Sequence, residues 1–225
     1  MRLVIGNKNY SSWSMRPWVL LKHFGIPFEE VKLRLDFAPG SDFYRRLAAV
    51  TPAGKVPVLL DGDLAVWDTL AITEYVAERF TQHAIWPRDV KARARARSIC
   101  AEMHSGFTAL RGNCGMNIEA RLPEVGQRVL AEEGVRRDLD RIVGLWRDAL
   151  QASGGPFLFG EFSAADAYYA PVVSRLQTYA LPVPQDIADY MARVWTAPGV
   201  ADWVRDALAE QDFLDFEEPY RASRG

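Results

Sequence analysis

The run Gly54-Lys55-Val56-Pro57-Val58-Leu59-Leu60-Asp61-Gly62-Asp63-Leu64-Ala65-Val66-Trp67-Asp68-Thr69 decides the architecture of this chain. Two apolar segments, Pro57 to Leu60 and Leu64 to Trp67, flank Asp61-Gly62-Asp63. Asp-Gly between apolar runs signals a hairpin turn. Asp68-Thr69 then open a helix carrying Leu70, Ile72, Tyr75 and Val76. Pro57 lacks the N–H that a central strand needs. It therefore belongs at the start of its strand, in a turn where either peptide isomer is open to it.

Upstream of this hairpin the signals alternate. Leu3-Val4-Ile5, ended by Gly6, reads as a buried strand. Ser11 to Phe24 reads as a helix with Trp18, Leu21 and Phe24 on one side, closed by Gly25. Pro17 is tolerated there only within the first turn, where N–H groups have no intrahelical partner. Pro27 to Leu35 alternates like a second strand through Phe28, Val31, Leu33 and Leu35, and Ser41 to Val50 reads as a short helix. The expected order is β-α-β-α-β-β-α, an α/β unit over residues 1–80.

Downstream, a linker at 81–90 carries Trp86-Pro87, and strand signals then nearly vanish. Residues 91–225 read as an all-α unit with helices near 88–117, 123–152, 163–180, 185–196 and 199–209. Ser153-Gly154-Gly155-Pro156 separates two of them, and Glu217 to Gly225 reads as a mobile tail. Lys91, Arg93, Arg95 and Arg97 look like a basic ridge, but at ~100° per residue Lys91 and Arg95 face away from Arg93 and Arg97.

The chain has 225 residues, 49% of them hydrophobic, enough to bury a core without staples. Lys+Arg 27 against Asp+Glu 29 leaves a net charge of −2, which argues against a nucleic-acid or polybasic membrane partner. The longest apolar runs are far too short to span a bilayer, and Leu3-Val4-Ile5 before Gly6-Asn7-Lys8-Asn9 is no secretory core. The expected setting is the cytoplasm. Cys100 and Cys114, if both lie on the helix at 88–117, stand ~20 Å apart and cannot pair. His23, His83 and His104 have no ligand spacing with them, so no metal is expected.

Chemistry-bearing residues gather at helix starts. Asn9-Tyr10-Ser11-Ser12-Trp13-Ser14-Met15-Arg16-Pro17 places three hydroxyls between the first strand and the first helix. Either a hydroxyl donates to a ligand thiolate beside the positive end of the helix dipole, or the serines simply cap the helix. If the bond before Pro57 is cis, the Val56 N–H and C=O point outward and can pair with a peptide-like ligand. Asp68 and Thr69 either hold an ammonium and a carboxylate or cap their helix.

Together these motifs resemble the cytosolic glutathione S-transferases, over nearly the whole chain. Gly54-Lys55-Val56-Pro57 matches the family's cis-proline motif, and Asp68-Thr69 stands where many members have Glu-Ser or Gln-Ser. The linker Trp86-Pro87-Arg88-Asp89 and the run into Ala92-Arg93-Ala94 also fit. Gly160-Glu161-Phe162-Ser163-Ala164-Ala165-Asp166 is similar to the capping box and hydrophobic staple of the family's buried helix, in which Pro171 should introduce a kink.

The resemblance implies a thioredoxin-like domain followed by a helical domain, with glutathione as co-substrate. It is closest to serine-type bacterial, theta and zeta members. Counting back from Gly25-Ile26-Pro27-Phe28 places Ser11 at their catalytic serine, with Ser12 and Ser14 one slip away. Ser12, Ser14, Lys55, Val56, Pro57, Asp68 and Thr69 are the implied glutathione-binding residues. A small electrophile would meet the helical region containing His104, Phe107, Leu110, Arg111, Cys114 and Met116. His104, Phe107 and Arg111 are the implied substrate contacts. Arg111 suits an anionic substrate, but a surface ion pair would explain it equally. A homodimer through the third and fourth helices is also implied.

Trp13 breaks the zeta pattern Ser-Ser-Cys. A cysteine-type mechanism would need a thiol at this helix start, and both cysteines lie in the helical half. Three alternatives stand beside a transferase: a zeta-like maleylacetoacetate isomerase, a glutathione-dependent peroxidase, and a non-catalytic binding module on the same fold.

Overall fold

In the computed structural model the structure describes residues 1–223. Its first part runs β1 (Arg2–Ile5), α1 (Ser12–His23), β2 (Glu29–Lys32), α2 (Asp42–Ala48), β3 (Val58–Asp61), β4 (Leu64–Trp67) and α3 (Thr69–Arg79). The strands lie in the order β2-β1-β3-β4, with β1 parallel to β2 and the other pairs antiparallel. Period-two alternation divides the side chains between the faces of the sheet. Leu3, Ile5 and Leu59 pack under α1 and α3, whereas Val4, Val58 and Leu60 pack with Phe43 and Leu47 of α2. The hairpin turns at Gly62, whose φ of +63° is the left-handed conformation that glycine adopts freely.

The second part is helical: α4 (Val90–Ser105), α5 (Thr108–Asn113), α6 (Pro123–Val129), α7 (Glu133–Ser153), α8 (Ala164–Thr178), α9 (Gln185–Thr196) and α10 (Pro198–Glu210). One 3₁₀ turn follows at Asp215–Glu217. Helix α8 runs through the core and is buried at every residue but Gln177. Its first turn carries the expected capping box: Asp166 accepts from the Ser163 N–H at 2.9 Å, and the preceding Phe162 is buried. Helix α1 packs between α8 and α10, joining the sheet to the helical part. Among the described residues, no helix is long and apolar enough to cross a membrane.

Four expectations are corrected. The helix expected over 88–117 breaks at Gly106-Phe107. Phe107 takes φ +53°, and a Cβ at Gly106 would lie 2.7 Å from the Glu102 carbonyl oxygen. Cys100 and Cys114 therefore sit on different segments, each buried as a free thiol. The segment 123–152 likewise divides into α6 and α7. Pro17 is the sixth residue of α1, not in its first turn, so the Trp13 carbonyl loses its usual donor.

The fourth correction concerns the tail. Glu218 is fully buried and accepts from the Tyr10 hydroxyl at 2.5 Å. Asn117 donates to the Tyr220 hydroxyl at 2.8 Å, and Arg221 reaches Glu119 at 2.8 Å and also pairs with Glu218. Polar anchors thus fasten what looked like a loose end. The last two residues of the expected tail, Arg224 and Gly225, lie outside the described residues.

Candidate functional site

A cavity of about 910 Å³ opens between the sheet and the helices. On the sheet side its wall comes from three helix or strand starts. Ser11 occupies the N-cap position of α1, yet its hydroxyl makes no capping bond. Instead Ser11 Oγ lies 2.7 Å from Ser14 Oγ, which accepts from the Gly6 N–H at 3.1 Å. The close approach needs glycine at position 6, where a Cβ would lie 2.7 Å from Leu35 and 3.2 Å from the Ser11 Cβ. The first amides of α1 have no intrahelical carbonyl, so the positive end of the helix faces the same place.

The Val56-Pro57 bond is cis, and both residues line the cavity together with Lys55. Asp68 caps α3 by accepting from the Leu70 N–H at 2.8 Å, with its own φ at +73°. Its other carboxylate oxygen stands 3.3 Å from His104 Nε2 on α4. Thr69 follows at the first position of α3.

The loop before α1 is held from the far end of the chain. Lys8 is buried between the rings of Trp18 and Trp203 and pairs with Glu30 and Asp206, both at 2.7 Å. Asn7 donates to Asp212 at 2.9 Å, and Asn9 donates to Asn117 at 2.9 Å. These contacts fix where Ser11 and Ser12 stand relative to the helical wall.

That wall comprises His104, Arg111, Met116, Arg175 and Glu217, with Trp13 facing it from α1. Trp13 lies edge-on to His104 at 5.0 Å between centroids, and the Arg111 guanidinium is 4.9 Å from the indole. Arg175 is buried in α8, donates to Ser12 Oγ at 3.1 Å and also to the Cys114 carbonyl. Burial, opposed in part by Asp68, holds the His104 imidazole below the ordinary histidine range.

Of the residues singled out from sequence, Ser11, Ser12, Lys55, Val56, Pro57, Asp68, Thr69, His104 and Arg111 come together on this cavity. Two do not. Ser14 is fully buried behind Ser11 and reaches the cavity only through that hydroxyl. Phe107, turned by its left-handed backbone at the break between α4 and α5, packs in the core. Among the described residues Arg111 makes no ion pair; its Nη1 donates to the carbonyls of His104 and Gly106. Tyr10 lines the cavity, but its hydroxyl is engaged by Glu218, and burial with that bond pushes its pKa up. Burial also pushes the Cys114 thiol up to about 11 and raises Cys100, so neither is a ready thiolate.

Sequence reasoning missed Arg175, Trp13 and Glu217. A signal existed for Arg175: one arginine among Ala164 to Thr178, a segment otherwise apolar or small apart from its capping acid and its final turn. Glu217 lies in the stretch that reads as a tail and gives none.

Comparison with known proteins bears on the whole arrangement. The model of the glutathione S-transferase N-terminal domain matches residues 10–79, and that of the C-terminal domain matches residues 91–206. A zeta-class glutathione S-transferase from Euphorbia esula is 27% identical over 167 residues, covering 72% of this chain and 71% of the relative. A maleylacetoacetate isomerase from Rattus norvegicus is 26% identical over 169 residues, covering 75% and 74%. Among solved structures, a glutathione transferase homologue from Burkholderia GL BGR1 with bound glutathione superposes with a TM-score of 0.71. It is 23% identical and covers 92% of this chain and 98% of that one, a likeness of fold. With both domain models matched in order and the cavity lying between the two parts, the chain belongs to the glutathione S-transferase family.

Proposed function

We propose that this enzyme binds glutathione against the sheet wall and ionises its thiol with Ser11 for attack on a small electrophile. One observation carries the reading: the Ser11 hydroxyl stands at the cavity, at the start of α1, without serving as a helix cap. The cis turn presents the Val56 backbone to the cysteinyl part of the tripeptide. Asp68 and Thr69 receive its ammonium and carboxylate ends, and Lys55 offers a cation to the other carboxylate. Ser12, held by Arg175, lies beside the sulfur position.

A free thiol has a pKa of ~8.5, so only a few per cent is thiolate at neutral pH. Lowering it by about two units corresponds to ~2.7 kcal/mol. One hydrogen bond to the anion plus the helix terminus supplies that much. Ser14 supports it from behind. Its oxygen already accepts from the Gly6 N–H, so its own proton can turn to Ser11 when the Ser11 proton turns to sulfur. The enzyme otherwise contributes proximity.

A cis–trans isomerase is the second reading. It uses the same thiolate, and the similarity to a maleylacetoacetate isomerase favours it over a peroxidase or a non-catalytic module. Within the proposal, residues 1–80 form the glutathione unit, 81–90 the linker and 91–225 the electrophile unit. The enzyme works in the cytoplasm as a homodimer through α3 and α4.

The test is calorimetric titration with glutathione, with the ultraviolet thiolate band followed against pH in the complex. Saturable binding with a lowered thiol pKa is expected in the wild type, and Ser11→Ala should bind glutathione but lose the shift. A normal shift in Ser11→Ala would remove Ser11 from the mechanism. No binding at millimolar glutathione would overturn the transferase reading.

A further inference from the structure

Two sets of arginines in this chain contrast. Arg34, Arg97, Arg141 and Arg147 lie on the surface, and each grips one carboxylate with Nε and Nη2 at 2.7–3.0 Å. Arg16 and Arg175 are buried, at 2% and 6% exposure, and neither forms an ion pair among the described residues. Arg111, half-buried on the cavity wall, forms none either. This is the reverse of what stability requires, since a buried charge without a counter-charge is costly and an exposed pair contributes little.

These three cations are neighbours. Arg16 lies 4.1 Å from the Trp13 ring, which Arg111 also faces at 4.9 Å. Arg16 Nε and Nη1 and Arg175 Nε are buried without a hydrogen-bond partner. Arg111 spends only Nη1, on two carbonyls. The carboxylates facing the cavity make no ion pair with them among the described residues. Asp68 is turned to His104, and burial pushes the Glu217 carboxyl up against the pull of Arg175. Burial and mutual repulsion lower Arg16 and Arg175 to about 10, still cationic at neutral pH. Arg111 and Arg175 on the helical wall, with Arg16 of α1, thus gather positive charge around Trp13 and Ser12, in a protein whose net charge is −2.

We propose that the electrophilic substrate carries a carboxylate, received by Arg111 and Arg175 on the helical wall, with Arg16 adding positive potential beneath Trp13. This rests on the glutathione-thiolate reading and names the substrate class for it. The carboxylate supplies the ion-pair partner that these arginines lack among the described residues, and it tethers the substrate near Ser12, within reach of the thiolate at Ser11.

The experiment uses 4-chloro-3-nitrobenzoate and its methyl ester, an acid and a neutral probe open to the same thiolate substitution. Each is titrated by tryptophan fluorescence into the protein saturated with S-methylglutathione, and each is assayed for turnover with glutathione. Rates are corrected for the uncatalysed reaction. The acid should bind about tenfold or more tightly than the ester. Arg111→Gln should collapse that preference toward parity, and Arg111→Lys should restore part of it. The acid-to-ester ratio is an internal control, because general damage to the fold moves both probes together. Equal or tighter binding of the ester to the wild type would overturn the proposal, as would a preference unchanged in Arg111→Gln. Glutathione titration alongside keeps the two readings apart, since its failure overturns the transferase reading while the probe ratio judges this one.

Discussion

The two walls of the cavity are built differently. The sheet wall takes its polar groups from short continuous motifs: a serine at a helix start, a proline turn, and an Asp-Thr pair opening α3. Each occupies two or three consecutive residues, and backbone geometry sets its direction. The helical wall is assembled from His104, Arg111, Met116, Arg175 and Glu217, which come from four separate segments and meet only through packing. The first wall is suited to a constant peptide-like ligand, and the second can change by side-chain replacement without disturbing any turn. On the proposed function, that division would set a shared co-substrate on one side and a variable substrate on the other.

The comparison can be broken at its strongest point with Ser11→Ala. Turnover should fall by ~10²–10³, the usual effect of deleting one preorganised donor to a developing or held anion, with glutathione affinity nearly kept. Equal loss of affinity and turnover would mean that Ser11 binds the tripeptide instead of ionising it. On the other wall, Arg111→Gln should cost about tenfold in acid-over-ester preference and leave the thiol pKa shift in place. Movement of both readouts together would show that the walls are not independent.

Smaller effects probe what joins the walls. Tyr10→Phe removes a buried donor to Glu218 and should lower stability by ~1 kcal/mol, read from the urea midpoint. If stability is unchanged, the terminal segment is held by its other contacts alone. The smallest effect is a pH slope. Burial raises Asp166 from 3.8 to about 6, against the pull of its hydrogen bonds from Leu158, Ser163 and Tyr190. Its proton is held in the folded chain and lost from the unfolded one across that window, so its contribution to stability declines as pH rises through it. The destabilisation caused by Asp166→Asn should therefore shrink between pH 3.8 and about 6. A cost independent of pH would show that folding does not raise the Asp166 pKa.

How much could be read beforehand tracks the same division. The order β-α-β-α-β-β-α was visible because each element announces itself within a few residues, as Asp61-Gly62-Asp63 does for the hairpin. Helical content was visible for 88–117, but its break was not. Gly106 matters because of a carbonyl four residues back, and Phe107 because of a left-handed backbone that no propensity marks. Ser11 is legible from its place before a helix, yet only the fold turns its hydroxyl to Ser14 and away from capping. The tail was misjudged because its anchors, Tyr10, Asn117 and Glu119, lie about a hundred or more residues away.

By itself, then, the sequence determined the sheet, the helical half, the cis-proline turn's position and the cluster of groups on the sheet wall. All of these rest on local backbone geometry and on apolar periodicity, which neighbouring residues control. Tertiary structure alone decided that Arg16, Arg111 and Arg175 stand together without an ion pair among the described residues, and that Glu217 reaches the cavity. Those facts depend on which segments pack against which. A charge's energy inside a protein is set by the neighbours that packing brings, not by its neighbours along the chain.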